Sequence, residues 1–162
     1  MLKIFVMAVI FSVEIFTSVV SAKPSVMVLE TGASEFSELA AEFVEQNLFE
    51  SGKFDLVMNN AELEDFRKKF PEYADVELPG ANYIVISRLE IETAGRADKF
   101  KITHRVDFMK GNAVLWSGEA DKKFSAKKAE QKDWHDAVFK LTDKVMKKFF
   151  KAVNSGKIVL KE

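Results

Sequence analysis

The chain opens on an almost unbroken apolar block. Met1-Leu2-Lys3 supplies a short positive start, and Ile4 to Phe16 is apolar except for Ser12 and Glu14. Small residues follow at Val20-Ser21-Ala22. This three-part layout is that of a secretory signal peptide, with cleavage expected after Ala22. The competing reading is an uncleaved membrane anchor. Such an anchor would run from Ile4 to Val20, only 17 residues with Glu14 near the middle, and a carboxylate there would cost about 2–3 kcal/mol in lipid, which favours cleavage. The expected division is a signal peptide at 1–22 and one domain at 23–162.

Beyond residue 22 the pattern switches between strand and helix periods. Ser25-Val26-Met27-Val28-Leu29 is a short apolar run, read as a buried strand. Ser34 is a candidate cap for a helix to about Glu50, whose apolar face is Phe36, Leu39, Ala40, Phe43, Val44 and Leu48. Gly52 is its expected stop. Phe54 to Met58 reads as a second strand. The helical crossover makes the two strands parallel, either adjacent or separated by one inserted strand. Asn60 can cap a short helix bearing Leu63, Phe66 and Phe70, ended by Pro71, with a loop at 72–80.

Strict alternation then begins. Tyr83 to Ile91, Phe100 to Phe108, and Ala113 toward Phe124 are three strands. Short turns at 94–98 and Lys110-Gly111-Asn112 join them into an antiparallel meander. In the last long segment Trp134, Val138, Leu141, Val145 and Phe149 form a helical stripe, and Gly156 ends it. Ile158-Val159-Leu160 is a candidate last edge strand. The expected fold class is therefore α+β, one mixed β-sheet with helices packed on it. The order is strand, helix, strand, helix, three strands, helix.

Composition removes several functions. The 162 residues include no cysteine, which excludes disulfides, thiolate metal sites, a cysteine nucleophile and a lipid-carrying cysteine. A net charge of -1 argues against nucleic acid as a partner. After residue 22 no stretch is long and apolar enough to be a transmembrane segment. With two histidines on different elements, neither a metal site nor any other cofactor is expected. His104 shares the more apolar side of its strand and reads as a buried, hydrogen-bonded residue. His135 lies one position off the helical stripe. No Gly-x-Ser-x-Gly, Gly-x-Gly-x-x-Gly or phosphate-loop pattern occurs. Glu62, Glu64 and Asp65 would form a carboxylate cluster, but acids in a first helical turn complement the helix dipole. No catalytic residue is expected.

Charge is uneven. From Glu30 to Glu77 there are 13 acidic and 4 basic residues, a net of -9. From Asp121 to Lys151 there are 5 acidic and 10 basic, a net of +5. Lys140, Lys144, Lys147, Lys148 and Lys151 crowd the last helix. A solvated lysine face is the ordinary reading. The functional one is a surface for an acidic partner, anionic lipid or cell-wall polymer, and these five lysines are the candidate partner-binding residues.

The second half carries a resemblance. Gly80-Ala81-Asn82-Tyr83-Ile84-Val85 is similar to a "glycine-alanine-aspartate-tyrosine" strand start. Val106-Asp107-Phe108, the turn Lys110-Gly111-Asn112, and Ala113-Val114-Leu115-Trp116-Ser117-Gly118 continue the pattern. Together they resemble the periplasmic α/β domain shared by the TolB amino-terminal domain, CsgG and LpoB, bacterial envelope proteins. Asn82 stands where aspartate is usual, and Ser87 where glycine is common. The resemblance implies a periplasmic domain that acts by binding proteins and not as an enzyme. Its expected role is adaptor or regulator of a cell-wall or outer-membrane machine. The alternative is a self-associating structural module, so the partner is an envelope protein or a second copy. Tyr83 and Trp116 are expected as core anchors, Gly111 and Gly118 as a turn and a close approach or bulge.

Overall fold

The structure, a computed structural model, describes residues 22–32, 34–57, 81–95, 99–125 and 130–160. The expected signal peptide up to residue 21, the expected second helix and the loop at 72–80 lie outside the described residues. So do Glu62, Glu64 and Asp65.

The elements run β1 (Ser25–Glu30), α1 (Glu35–Glu50), β2 (Asp55–Leu56), β3 (Tyr83–Thr93), β4 (Lys99–Lys110), β5 (Ala113–Ser125) and α2 (Gln131–Asn154). They build a five-stranded sheet in the order β2-β1-β3-β4-β5. Strand β1 is parallel to both β2 and β3, and the β3–β4–β5 part is antiparallel. The fold is α+β, with its helices on a mixed sheet. Of the two arrangements open for the first two strands, the adjacent one is found.

Helix α1 starts at Ser34, whose hydroxyl accepts the Ser37 N–H at 3.3 Å and so satisfies one orphan donor of the first turn. It buries Ala40, Val44 and Leu48. Helix α2 starts with the Asp133 carboxylate accepting the Glu130 N–H at 2.9 Å. It buries Ala137, Val138, Leu141, Thr142, Val145, Met146, Phe149 and Ala152. Both helices cover one face of the sheet, meeting Val26, Val28, Tyr83, Val85, Ile102, Val106 and Phe108.

Aromatic clusters fix both ends of α2. At its start Trp134 meets Phe36, Phe100 and Phe124 at 5.3, 5.6 and 4.4 Å between ring centres. Near its end Phe149 meets Phe108, Trp116 and Phe54 at 5.0, 5.3 and 6.1 Å. The pair Phe43–Phe139, at 5.1 Å, joins the two helices between these clusters. The helices therefore run in the same direction. On the other face of the sheet Met27, Leu29, Ile84, Ile86 and Met109 form a second buried cluster.

Two expectations need correction. The second strand is only Asp55–Leu56, because Phe54 turns into the core beside Phe108 and Phe149 rather than extending the ladder. The last edge strand does not form. Gly156 has φ +71, which wraps the chain back on α2 so that the Lys157 N–H donates to the Ala152 carbonyl at 3.0 Å. Ile158 is then buried against the helix instead of joining the sheet. Strand β5 bulges at Leu115, which has no partner because Phe108 and Met109 of β4 pair with Trp116 and Val114.

Gly118 is the close approach, since a Cβ there would sit inside the Trp116 ring. Tyr83 is a core anchor, fully buried and stacked on Phe108 at 4.8 Å.

Candidate functional site

The lysine face is set by helix geometry. At about 100° per residue, Lys140, Lys144, Lys147 and Lys151 fall within an arc of roughly 60°, opposite the buried stripe. All four are exposed. From Lys140 to Lys151 the row extends about 16 Å along the axis. Lys148 lies off this arc, on the side facing the edge strand, where its ammonium donates to the Glu119 carbonyl at 2.7 Å.

The five lysines are therefore not equivalent. Lys148 holds α2 to β5. Lys147 pairs with Asp143 at 2.7 Å, one turn earlier. Such an exposed i,i+4 pair contributes about 0.3–0.5 kcal/mol at most. Lys140, Lys144 and Lys151 make no ion pair among the described residues. The structure thus brings four of the predicted residues into one row and gives the fifth a structural partner.

Helix α1, beside it, is acidic. Glu35, Glu38, Glu42 and Glu50 are exposed, and Glu45 is half-buried. Burial, with the charge of Glu42 adding to it, pushes the Glu45 carboxyl above its ordinary value. No carboxylate of α1 reaches the α2 lysines, so the two helices present opposite charge side by side.

The second group of interest is buried. His104 lies between Ser87 on β3, whose hydroxyl is 2.9 Å from Nε2, and Thr142 on α2, whose hydroxyl is 3.1 Å from Nδ1. All three residues are fully buried. Burial lowers the His104 pKa to about 4, so the ring is neutral near neutral pH. One ring nitrogen donates and the other accepts, and both neighbouring hydroxyls can do either. A serine hydroxyl at a histidine nitrogen is also the geometry of a nucleophile and its base. Here neither side chain has surface for a substrate to touch, and the group is a polar rivet between sheet and helix. The sequence marked His104 as buried and bonded. Its partners were visible only as polar exceptions, Ser87 in an apolar strand and Thr142 in an apolar helical stripe.

His135 is exposed. Among the described residues no group of three or more metal-binding side chains converges, and no helix is long and apolar enough to cross a membrane.

No protein-family model matches the chain, and no curated protein matches it. Solved structures do resemble it. Protein XCC0632 from Xanthomonas campestris gives a TM-score of 0.50 at 9% identity, over 84% of this chain and 87% of that one. A PelC dodecamer from Paraburkholderia phytofirmans gives 0.49 at 15% identity, over 76% of this chain and 84% of that one. The LpoB C-terminal domain from Salmonella enterica gives 0.36 at 18% identity, over 65% of this chain and 86% of that one. At such identities the likeness is one of fold alone, and the XCC0632 structure carries it.

Proposed function

We propose that the chain is an exported, non-enzymatic protein-binding domain of the bacterial envelope. Residues 1–22 serve as its secretory signal, and 23–162 form the working domain in the periplasm. It acts as an adaptor or regulator of a cell-wall or outer-membrane machine, and an acidic surface of the partner docks on the lysine row of α2. The observation that carries this reading is that row: Lys140, Lys144 and Lys151 are exposed and make no ion pair among the described residues, on a helix held at both ends by aromatic clusters. A rigid, preorganised charge array steers an oppositely charged protein and orders little on binding. The sequence resemblance to TolB, CsgG and LpoB supports the envelope setting.

In-cell crosslinking of the tagged protein in its native envelope, read by mass spectrometry, tests the proposal. A cell-wall synthase or an outer-membrane assembly as the dominant adduct is the expected result. Recovery without any envelope adduct contradicts it.

One observation favours a second reading. The acidic α1 and the basic α2 lie on the same layer, so the row of one copy can meet α1 of another in a heterologous contact. Light scattering on the eluting protein separates the two readings. A monomer at about tens of micromolar, where a contact weaker than about 7 kcal/mol dissociates, removes self-association.

A further inference from the structure

The topology gathers several features at one end of the sheet. The Ser25 N–H donates to Asn82 Oδ1 at 2.8 Å, and the Asp55 N–H to the Pro24 carbonyl at 3.1 Å, so β1, β2 and β3 all start there. The β4–β5 hairpin turns at the same end, because Met109 pairs with Ile84 near the start of β3. Both helices finish there, with Phe149 seated among Phe54, Phe108 and Trp116.

Four of the five large hydrophobic side chains exposed among the described residues lie at this end. They are Phe49 at 72%, Val159 at 64%, Val114 at 54% and Leu115 at 41%. The fifth, Phe139, packs edge-on against Phe43. Leu115 occupies the bulge of β5, which frees its side chain from the alternation of the strand. Exposed lysines stand around these residues: Lys23 before β1, Lys53 before β2, Lys110 in the hairpin and Lys157 after α2. Among the described residues Glu50 and Asp55 are the acidic groups on the same segments.

We infer that this end of the fold docks on an anionic lipid surface. Apolar tips set among lysines suit the bilayer interface, where the tips enter the acyl boundary and the ammonium groups meet headgroup phosphates. An acidic protein patch would answer the lysines, but it leaves apolar tips on separate segments exposed. The tips come from three separate segments that share this end of the fold, which suits an extended surface better than a single pocket. The inference uses none of Lys140, Lys144 or Lys147 and stands apart from the proposed protein contact.

The lack of cysteine makes the test direct. The full chain carrying Leu115→Cys, or Glu92→Cys at the opposite end of β3, is labelled with the polarity-sensitive dye NBD. Phosphatidylcholine vesicles with and without phosphatidylglycerol are added. The dye at position 115 should shift to the blue and brighten on vesicles containing phosphatidylglycerol only, and the dye at 92 should not respond. Combining Lys53→Glu, Lys110→Glu and Lys157→Glu should weaken the titration roughly a hundredfold, at about tenfold or less per charge near an anionic surface. Lys140→Glu with Lys144→Glu should leave it unchanged. No shift at 115 on the anionic vesicles, an equal shift at 92, or indifference to the triple reversal would overturn the inference. Because the 115 and 92 labels leave all the lysines in place, their contrast decides even if the triple variant folds poorly.

Discussion

Helices α1 and α2 lie side by side on one sheet face and run the same way, yet they are built differently. Helix α1 has 16 residues and buries a narrow stripe of Ala40, Val44 and Leu48. Its side-chain hydrogen bonds among the described residues stay within the helix and its caps, as from Asn47 to the Phe43 carbonyl. Helix α2 has 24 residues, a wider apolar stripe and two polar ties to the sheet, Thr142 to His104 and Lys148 to the Glu119 carbonyl. Their outward faces carry opposite charge. Packing therefore does not decide surface sign, since both helices bury apolar stripes on the same sheet. Among the described residues Lys140, Lys144 and Lys151 of that row make no ion pair, and α2 is the more firmly held platform for them.

The largest test of this contrast is in the core. Phe149→Ala should destabilise the fold by about 3–5 kcal/mol, since the ring is shared by several aromatic neighbours and little can collapse into its place. Val44→Ala on α1, which removes a smaller side chain, should cost clearly less. Urea unfolding of both variants measures the difference, and equal losses would erase the distinction between the helices.

Next comes the tie through His104. Its folded pKa, about 4, lies below the ordinary 6.5. The unfolded chain therefore binds the proton more readily between those values. The neutral ring supports the fold fully above about pH 6.5, and this contribution, up to about 3 kcal/mol, is lost as pH falls toward about 4. Unfolding curves across that range should show the decline, and His104→Gln should flatten this part of it. An unchanged slope in the variant would remove His104 from the account.

Much of this contrast was legible in the sequence. The spacing of Trp134, Val138, Leu141, Val145 and Phe149 marked α2, and Ser34 marked the start of α1, because amphipathic period and cap chemistry are local. The five lysines were legible as a charged run. That Lys148 belongs to the edge strand was not, because its partner is a backbone carbonyl 29 residues away. The rivet escaped in the same way: Ser87, His104 and Thr142 meet only through tertiary packing. Ile158-Val159-Leu160 misled because apolarity signals burial without saying against what, and here it is the end of α2 that buries Ile158.

The smallest expected effect lies on α1. Burial raises the Glu45 pKa, so above that value its charge opposes folding. Glu45→Gln should therefore stabilise the protein at neutral pH, by about a few tenths of a kcal/mol at a half-buried, solvent-screened position. A thermal scan checks the sign, and a loss of stability would show that the carboxylate has a favourable role there.

The most direct test of the proposed contact compares the two helices in the native envelope. One tagged variant carries Lys140→Glu, Lys144→Glu and Lys147→Glu on α2, and the other carries Glu35→Lys, Glu38→Lys and Glu42→Lys on α1. Both change exposed residues, and melting curves confirm that each is folded. The account predicts that crosslinking retains the envelope adduct with the α1 variant and loses it with the α2 variant. Retention of the same adduct by the α2 variant would contradict it.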